Sequence, residues 1–224
     1  MSLSQRLITL TLKAITSLIC RIEDTEIERV PDRGPFIIYT NHINILEIPI
    51  IYTRLQPRHV YGLVLAERWR NPILRWILNT TQAIPIRRAS ADVTAMRKGL
   101  EVLARGDIIA ISPEGTRSHD GILQTALPGV ILLALHANVP LLPIAYHGAE
   151  KWLENLSRLQ RTDFHIRVGN MVKLVARGER VTHAVRQQMV DELMTQLAAL
   201  LPEDQRGKYA EYTVKSSSYL TTIS

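Results

Sequence analysis

Apolar residues along this chain follow two rhythms that alternate. Near-continuous runs stand at Phe36–Tyr39, in "HVYGLVLA" (59–66), in "DIIAIS" (107–112) and in "VPLLPIAYHG" (139–148). Runs of that length without polar alternation predict strands buried on both faces. "AIPIR" (83–87) reads as a short extended segment and "FHIRVGN" (164–170) as an edge strand. Between the runs the spacing turns helical. A helix is predicted from Asn44 to about Leu55, and a short one in "NPILRWILN" (71–79), where Pro72 near the start has no N–H to lose. Asp92 caps "VTAMRKGLEVLARG", which Gly106 ends. "LPGVILLALHAN" (127–138) is mostly helix. The last helix runs from about Thr182 to Leu200, with Val185, Met189, Leu193, Leu197 and Leu200 in one stripe. Strands alternating with helices predict an α/β domain: a central mixed, largely parallel sheet flanked by helices.

The ends of the chain differ from this middle. In "MSLSQRLITLTLKAITSLIC", Leu3, Leu7, Leu10 and Ala14 recur at helical spacing beside Ile8, Ile15 and Ile19, and Arg6 and Lys13 interrupt the run. The longest uncharged stretch, Ala14 to Cys20, is seven residues; a spanning helix needs roughly 20. The segment therefore predicts an amphipathic helix, lying on a membrane surface or packed on the domain. A signal peptide fits less well, since there is no long clean apolar core. From Tyr209 to Ser224 the chain is polar and reads as a loose tail. The expected division is an N-terminal helix at 1–24, one domain at 25–202 and a C-terminal tail at 203–224.

Composition narrows the function. The 224 residues are 46% hydrophobic with one cysteine, Cys20, so a disulfide framework is excluded and a cysteine-built zinc site is not expected. The net charge of +6 is concentrated: residues 51–100 hold nine Lys or Arg against two Asp or Glu. Such a block suits a polyanionic partner, either an anionic membrane or a phosphorylated molecule, or else forms a solvated basic face. Nucleic acid is not expected, because zinc-finger spacing, a GXXG loop and interleaved surface aromatics are missing. GxSxG, HExxH and GxxxxGK[ST] are absent as well.

Two motifs carry candidate chemistry. In "YTNHINILEIP" an apolar strand stops at Asn41-His42, and Glu47 follows five residues later. Imidazole is the natural base near neutral pH, and a carboxylate on one ring nitrogen fixes the tautomer that leaves the other free. Five residues on one regular helix give about 140° of net rotation. His42 must therefore sit in the strand-to-helix turn, with Glu47 in the first helical turn pointing back. Taken alone, the pair also reads as a structural histidine with its partner. "SPEGTRS" (112–118) follows another apolar run. Gly115 permits a positive φ or a close backbone approach. Backbone N–H groups near Gly115 and Thr116 suit an anion, and Arg117 offers a planar fork for phosphate. Glu114 needs a partner if buried, an arginine or a ligand hydroxyl. A charged surface turn is the alternative for this segment.

With these motifs in place, the sequence resembles the glycerolipid acyltransferase superfamily of 1-acylglycerol-3-phosphate acyltransferase type. "NHINILE" is similar to its NHx4D box, "QAIPIRR" to a second block whose arginine falls on Arg88, "SPEGTRS" to the third and "VPLLPIAY" to the fourth. The likeness covers roughly Val30 to Gly169. It implies transfer of a fatty acyl group from acyl-CoA or acyl-carrier protein to the hydroxyl of 1-acylglycerol-3-phosphate or another lipid acceptor, in phospholipid synthesis. His42 is then the base and Glu47 its orienting partner. Asn41, Arg88, Glu114, Gly115, Thr116 and Arg117 bind the substrate, the two arginines its phosphate. No metal and no further cofactor are implied. The enzyme is expected at a membrane, on the cytoplasmic face. A lipid-binding module that kept the pocket without the reaction is the competing reading. Three positions depart from the pattern: Glu47 stands for the usual aspartate, "LAERWRNP" lacks the lysine between the first two blocks, and "TALPGV" places Leu127 and Pro128 before Gly129 where a lysine is customary.

Overall fold

The computed structural model describes residues 3–87, 92–118, 120–176, 178, 180–211 and 219–223. Its elements are α1 (Leu3–Ile19), β1 (Cys20–Glu23), β2 (Phe36–Thr40), α2 (Glu47–Arg54), β3 (Val60–Leu65), α3 (Pro72–Thr80), β4 (Ile84–Ile86), α4 (Val93–Ala104), β5 (Ile108–Ile111), α5 (Gly129–Ala137), β6 (Leu141–His147), α6 (Trp152–Ser157), β7 (Thr162–Val168), β8 (Val172–Leu174), α7 (His183–Ala198) and β9 (Leu220–Thr222). A 3-10 helix, Ala66–Arg70, joins β3 to α3.

One mixed sheet runs β1-β7-β6-β2-β5-β3-β4, and β8 and β9 extend it from β6. The five strands from β6 through β2, β5 and β3 to β4 are mutually parallel. β7 is antiparallel to β6. The apolar run of β2 is explained by its place at the centre, since all five of its residues are buried. Ile37 and Tyr39 face a core shared with α4, α5 and α7. Phe36 and Ile38 face a second core with Ile43, Leu46 and Ile50 around α2. An apolar side chain on either face of such a strand contributes ~1.5–3 kcal/mol by burial.

Side-chain caps open α3 and α4, and the one at Asp92 lies where the sequence expects it. Asn71 accepts from the N–H groups of Ile73 and Leu74 at 3.0 and 3.1 Å, with Pro72 following. Asp92 accepts from Ala95 N–H at 3.0 Å, and Gly106 ends α4 at φ +84°. Met189, Leu193 and Leu197 of α7 are buried, and Val185 and Leu200 pack against the same core.

The ends depart from expectation. Residues 20–23 form a strand, β1, which pairs in parallel with β7. β7 is therefore interior and not the edge strand anticipated. The tail is not loose in its described part. Tyr209 and Tyr219 are buried, and Leu220–Thr222 pairs antiparallel with β8. Two aromatic side chains in an otherwise polar stretch supply enough apolar surface to dock it.

α1 has two apolar sides. Ile8 and Thr16 are buried against the domain, while Leu3, Leu7, Leu10 and Leu18 are 61–85% exposed. Among the described residues no helix is long and apolar enough to cross a membrane.

Candidate active site

The parallel strands all point their C-terminal ends to one edge of the sheet, where loops in such folds hold ligands. β2 delivers Asn41 and His42 there, β5 delivers residues 112–118, β3 the 3-10 helix with Arg68 and Arg70, and β4 delivers Arg87.

Asn41 is buried. Its Nδ2 donates to Tyr146 O and its Oδ1 accepts from Tyr146 N–H, both at 2.8 Å. The side chain is thus spent on the neighbouring strand β6. It braces the loop against β6 from a buried position.

His42 lies in the turn between β2 and α2, and Glu47 is the first residue of α2. The helix starts later than expected because residues 43–46 form the turn that lets Glu47 reach back. Glu47 is 4% exposed. Its Oε2 accepts from the N–H groups of Ile43 at 2.8 Å and Asn44 at 3.2 Å, and its Oε1 meets His42 Nδ1. With the Glu47 carboxylate as acceptor, the hydrogen of a neutral imidazole belongs on Nδ1, which would leave the lone pair on Nε2. The imidazole is not sealed in, with 21% of the side chain exposed. Asn44 locks the turn from the other side, donating to Ala149 O and accepting from Leu46 N–H, both at 2.8 Å.

The third-block loop is bonded directly to this turn. Ser118 N–H donates to His42 O at 2.8 Å, and His42 N–H donates to Glu114 Oε2 at 2.7 Å. The other oxygen, Glu114 Oε1, accepts from Gln124 N–H at 2.6 Å. Glu114 is buried, and its partners are backbone amides in place of the arginine or ligand hydroxyl expected. Burial pushes its carboxyl up to about 7, against the pull of the Gln124 and His42 amides. Gly115 adopts φ +67°, as its residue type permits, and its N–H donates to Ser112 O at 3.2 Å. That amide is therefore not open to an anion. Thr116 is exposed and Arg117 half-buried, and neither has a hydrogen-bond or ion-pair partner among the described residues. Arg88 lies outside the described residues. Arg87 is exposed, and its N–H donates to Asp92 Oδ2 at 2.9 Å. Among the described residues no cluster of three or more His, Cys, Asp or Glu is placed to hold a metal.

Sequence reasoning missed the role of Gln124 and the tie from Asn41 to β6. The first is a backbone contact without a residue-type signature. The second was signalled only by an amide at the end of a buried strand, where an unpaired polar group costs ~1–3 kcal/mol.

A family model described as Acyltransferase matches residues 21–147. The 1-acyl-sn-glycerol-3-phosphate acyltransferase of Bacillus subtilis (strain 168) is 24% identical over 137 residues, which cover 61% of this chain and 68% of that protein. The protein of the same name from Pseudomonas aeruginosa is 24% identical over 199 residues, 88% of this chain and 76% of that one. Among solved structures, the 1-acyl-sn-glycerophosphate acyltransferase of Thermotoga maritima superposes with a TM-score of 0.67 at 21% identity, over 91% of this chain and 80% of that chain.

Proposed function

The chain belongs to the acyltransferase family and is an acyltransferase of lipid metabolism; from that premise we propose that it moves a fatty acyl group from acyl-CoA or acyl-carrier protein to the free hydroxyl of 1-acylglycerol-3-phosphate, with His42 as general base. The observation that carries this reading is the pairing of His42 Nδ1 with buried Glu47, which leaves Nε2 unpartnered among the described residues at the ligand-binding edge of the sheet.

In the proposed reaction the acceptor hydroxyl sits within about 3 Å of Nε2. Nε2 takes its proton as the oxygen attacks the thioester carbonyl. A C–O bond forms, the C–S bond breaks, and the imidazolium returns its proton to the leaving thiolate. Glu47 stabilises the imidazolium in between without itself taking the proton. Arg117 and the Thr116 N–H and hydroxyl are free to hold the acceptor phosphate, and Arg88 is assigned with them from its place in the second block. Glu114 holds the His42 amide and so acts on the acceptor through the base. No covalent acyl-enzyme and no metal are needed for these steps.

The leucine stripe of α1, opposite the side that packs on the domain, supports a position on a membrane surface; the cytoplasmic face is assigned from the family resemblance alone. Vesicle co-sedimentation of the full chain against one beginning near Glu23 tests that anchor; equal retention removes it. The acceptor is tested by thiol release from acyl-CoA with purified protein on lysophosphatidate, glycerol-3-phosphate and lysophospholipids. Turnover restricted to lysophosphatidate is expected, and a preference for an acceptor without a phosphate monoester overturns that choice.

A further inference from the structure

α3 stands apart from every other long helix of the domain because none of its nine residues is fully buried. Leu74, Ile77 and Leu78 turn inward and are half-buried. Ile73 and Trp76 point outward, 69% and 53% exposed. Residues three apart share a side of a helix. Single exposed apolar residues are ordinary, but two bulky ones together on so short a helix mark a contact surface.

The charge around them selects the partner. Arg68, Arg70 and Arg75 are exposed and have no ion-pair partner among the described residues. Only one acidic residue, Glu67, lies between Ala66 and Thr80. Trp69 Nε1–H donates to Asn79 Oδ1 at 2.9 Å, joining the 3-10 helix to α3, so the arginines and the apolar pair form one unit. Tryptophan and isoleucine flanked by arginines, on a helix of low total burial, match a surface that sinks its apolar side to headgroup depth while cations meet anionic lipid.

We propose that α3 and the 3-10 helix before it form a second lipid-contacting surface, distinct from the leucine stripe of α1, whose partner is an anionic phospholipid bilayer. The proposal rests on the reading of the site as one that takes a lipid acceptor. Because the 3-10 helix leaves the C-terminal end of β3, at the sheet edge that carries His42, docking this surface brings that edge towards headgroup level. Gln5 Nε2 donates to Thr80 O at 3.3 Å, which ties the end of α3 to α1 and lets the two surfaces act on one bilayer.

The test uses the full chain with vesicles of phosphatidylcholine alone or mixed with phosphatidylglycerol. Ile73→Ser/Trp76→Ser and Arg70→Gln/Arg75→Gln are compared with the α1 variant Leu7→Ser/Leu10→Ser and with their combination. Each α3 variant is expected to lower partition onto anionic vesicles by about tenfold, and the loss multiplies with that of the α1 variant. Brominated acyl chains are expected to quench an emission component that vanishes in Trp76→Phe. Thiol release with a short-chain acceptor free of vesicles is expected to be unchanged by Ile73→Ser/Trp76→Ser. Wild-type partition by the α3 variants, or no Trp76 quenching, overturns the proposal. So does a Trp76 response to acidic acyl-carrier protein or to protein concentration in place of vesicles. A wild-type chain that binds vesicles through Trp76 yet releases no thiol would instead overturn the acyltransfer reading and leave this surface standing.

Discussion

Between Asn41 and Glu47, every side-chain polar atom but one has a partner inside the protein: the Asn41 amide on β6, His42 Nδ1 on Glu47, the Asn44 amide on Ala149 and Leu46, and Glu47 Oε2 on two backbone amides. The exception is Nε2 of His42. Two residues of the neighbouring loop, Thr116 and Arg117, show the reverse, since no described residue bonds their side chains. The two loops are joined by Ser118 and Glu114. The difference separates two tasks. A base must be oriented before the acceptor arrives, because reorganising it during the reaction costs rate. A phosphate-binding arm gains affinity from donors whose hydrogen bonds only the ligand completes.

The largest effect expected from breaking this arrangement is at the base. His42→Ala should lower kcat by ~10³-fold, within the usual range for general-base removal, while circular dichroism and melting stay as in wild type. Turnover near the wild-type rate would remove His42 from the chemistry.

Glu114 is next. Its carboxyl lies near 7 in the folded chain against an ordinary value of 4.5, so the folded state holds the proton more tightly than the unfolded one. Its contribution to stability is complete below about pH 4.5 and is lost as pH rises through 7, an effect on the order of 3 kcal/mol at 1.36 kcal/mol per pH unit. Glu114→Gln should flatten that part of the stability profile in urea titrations across pH 4.5–7.5. An unchanged slope would mean that Glu114 is not the group responsible.

Asn41→Ala removes two buried hydrogen bonds and leaves the Tyr146 backbone groups unpaired, a loss of about 2 kcal/mol by denaturant titration. If Asn41 acts only as a brace, KM for the acceptor stays unchanged in the folded fraction. Arg117→Ala is expected to do the opposite: no loss of stability, a rise of roughly tenfold in KM for a phosphorylated acceptor, and no change in KM for the acyl donor. A joint rise in both constants would move Arg117 out of the acceptor subsite.

Much of the site was legible because it sits where simple patterns break. The apolar run of β2 stops at Asn41-His42, and a carboxylate five residues on is usable only if the helix begins there, as it does at Glu47. The rest depended on contacts with no local signature. "CRIE" shows nothing that marks it as a parallel partner of Thr162–His165, so the local pattern reveals neither β1 nor the interior place of β7. Glu114 was recognisable as a group in need of partners, but those are amides of His42 and Gln124, and any residue type supplies an amide. The polar look of residues 209–223 hid Tyr209 and Tyr219, whose rings decide where that segment packs.

The central claim is that Glu47 fixes the proton on Nδ1 and leaves Nε2 of His42 bare to receive one. Nitrogen-15 NMR of histidine-labelled protein reports this directly, with the His42 signals identified by their loss in His42→Asn. The account predicts that the neutral ring carries its hydrogen on Nδ1, and that Glu47→Gln weakens this preference. A neutral His42 protonated on Nε2 in the wild-type chain would contradict it.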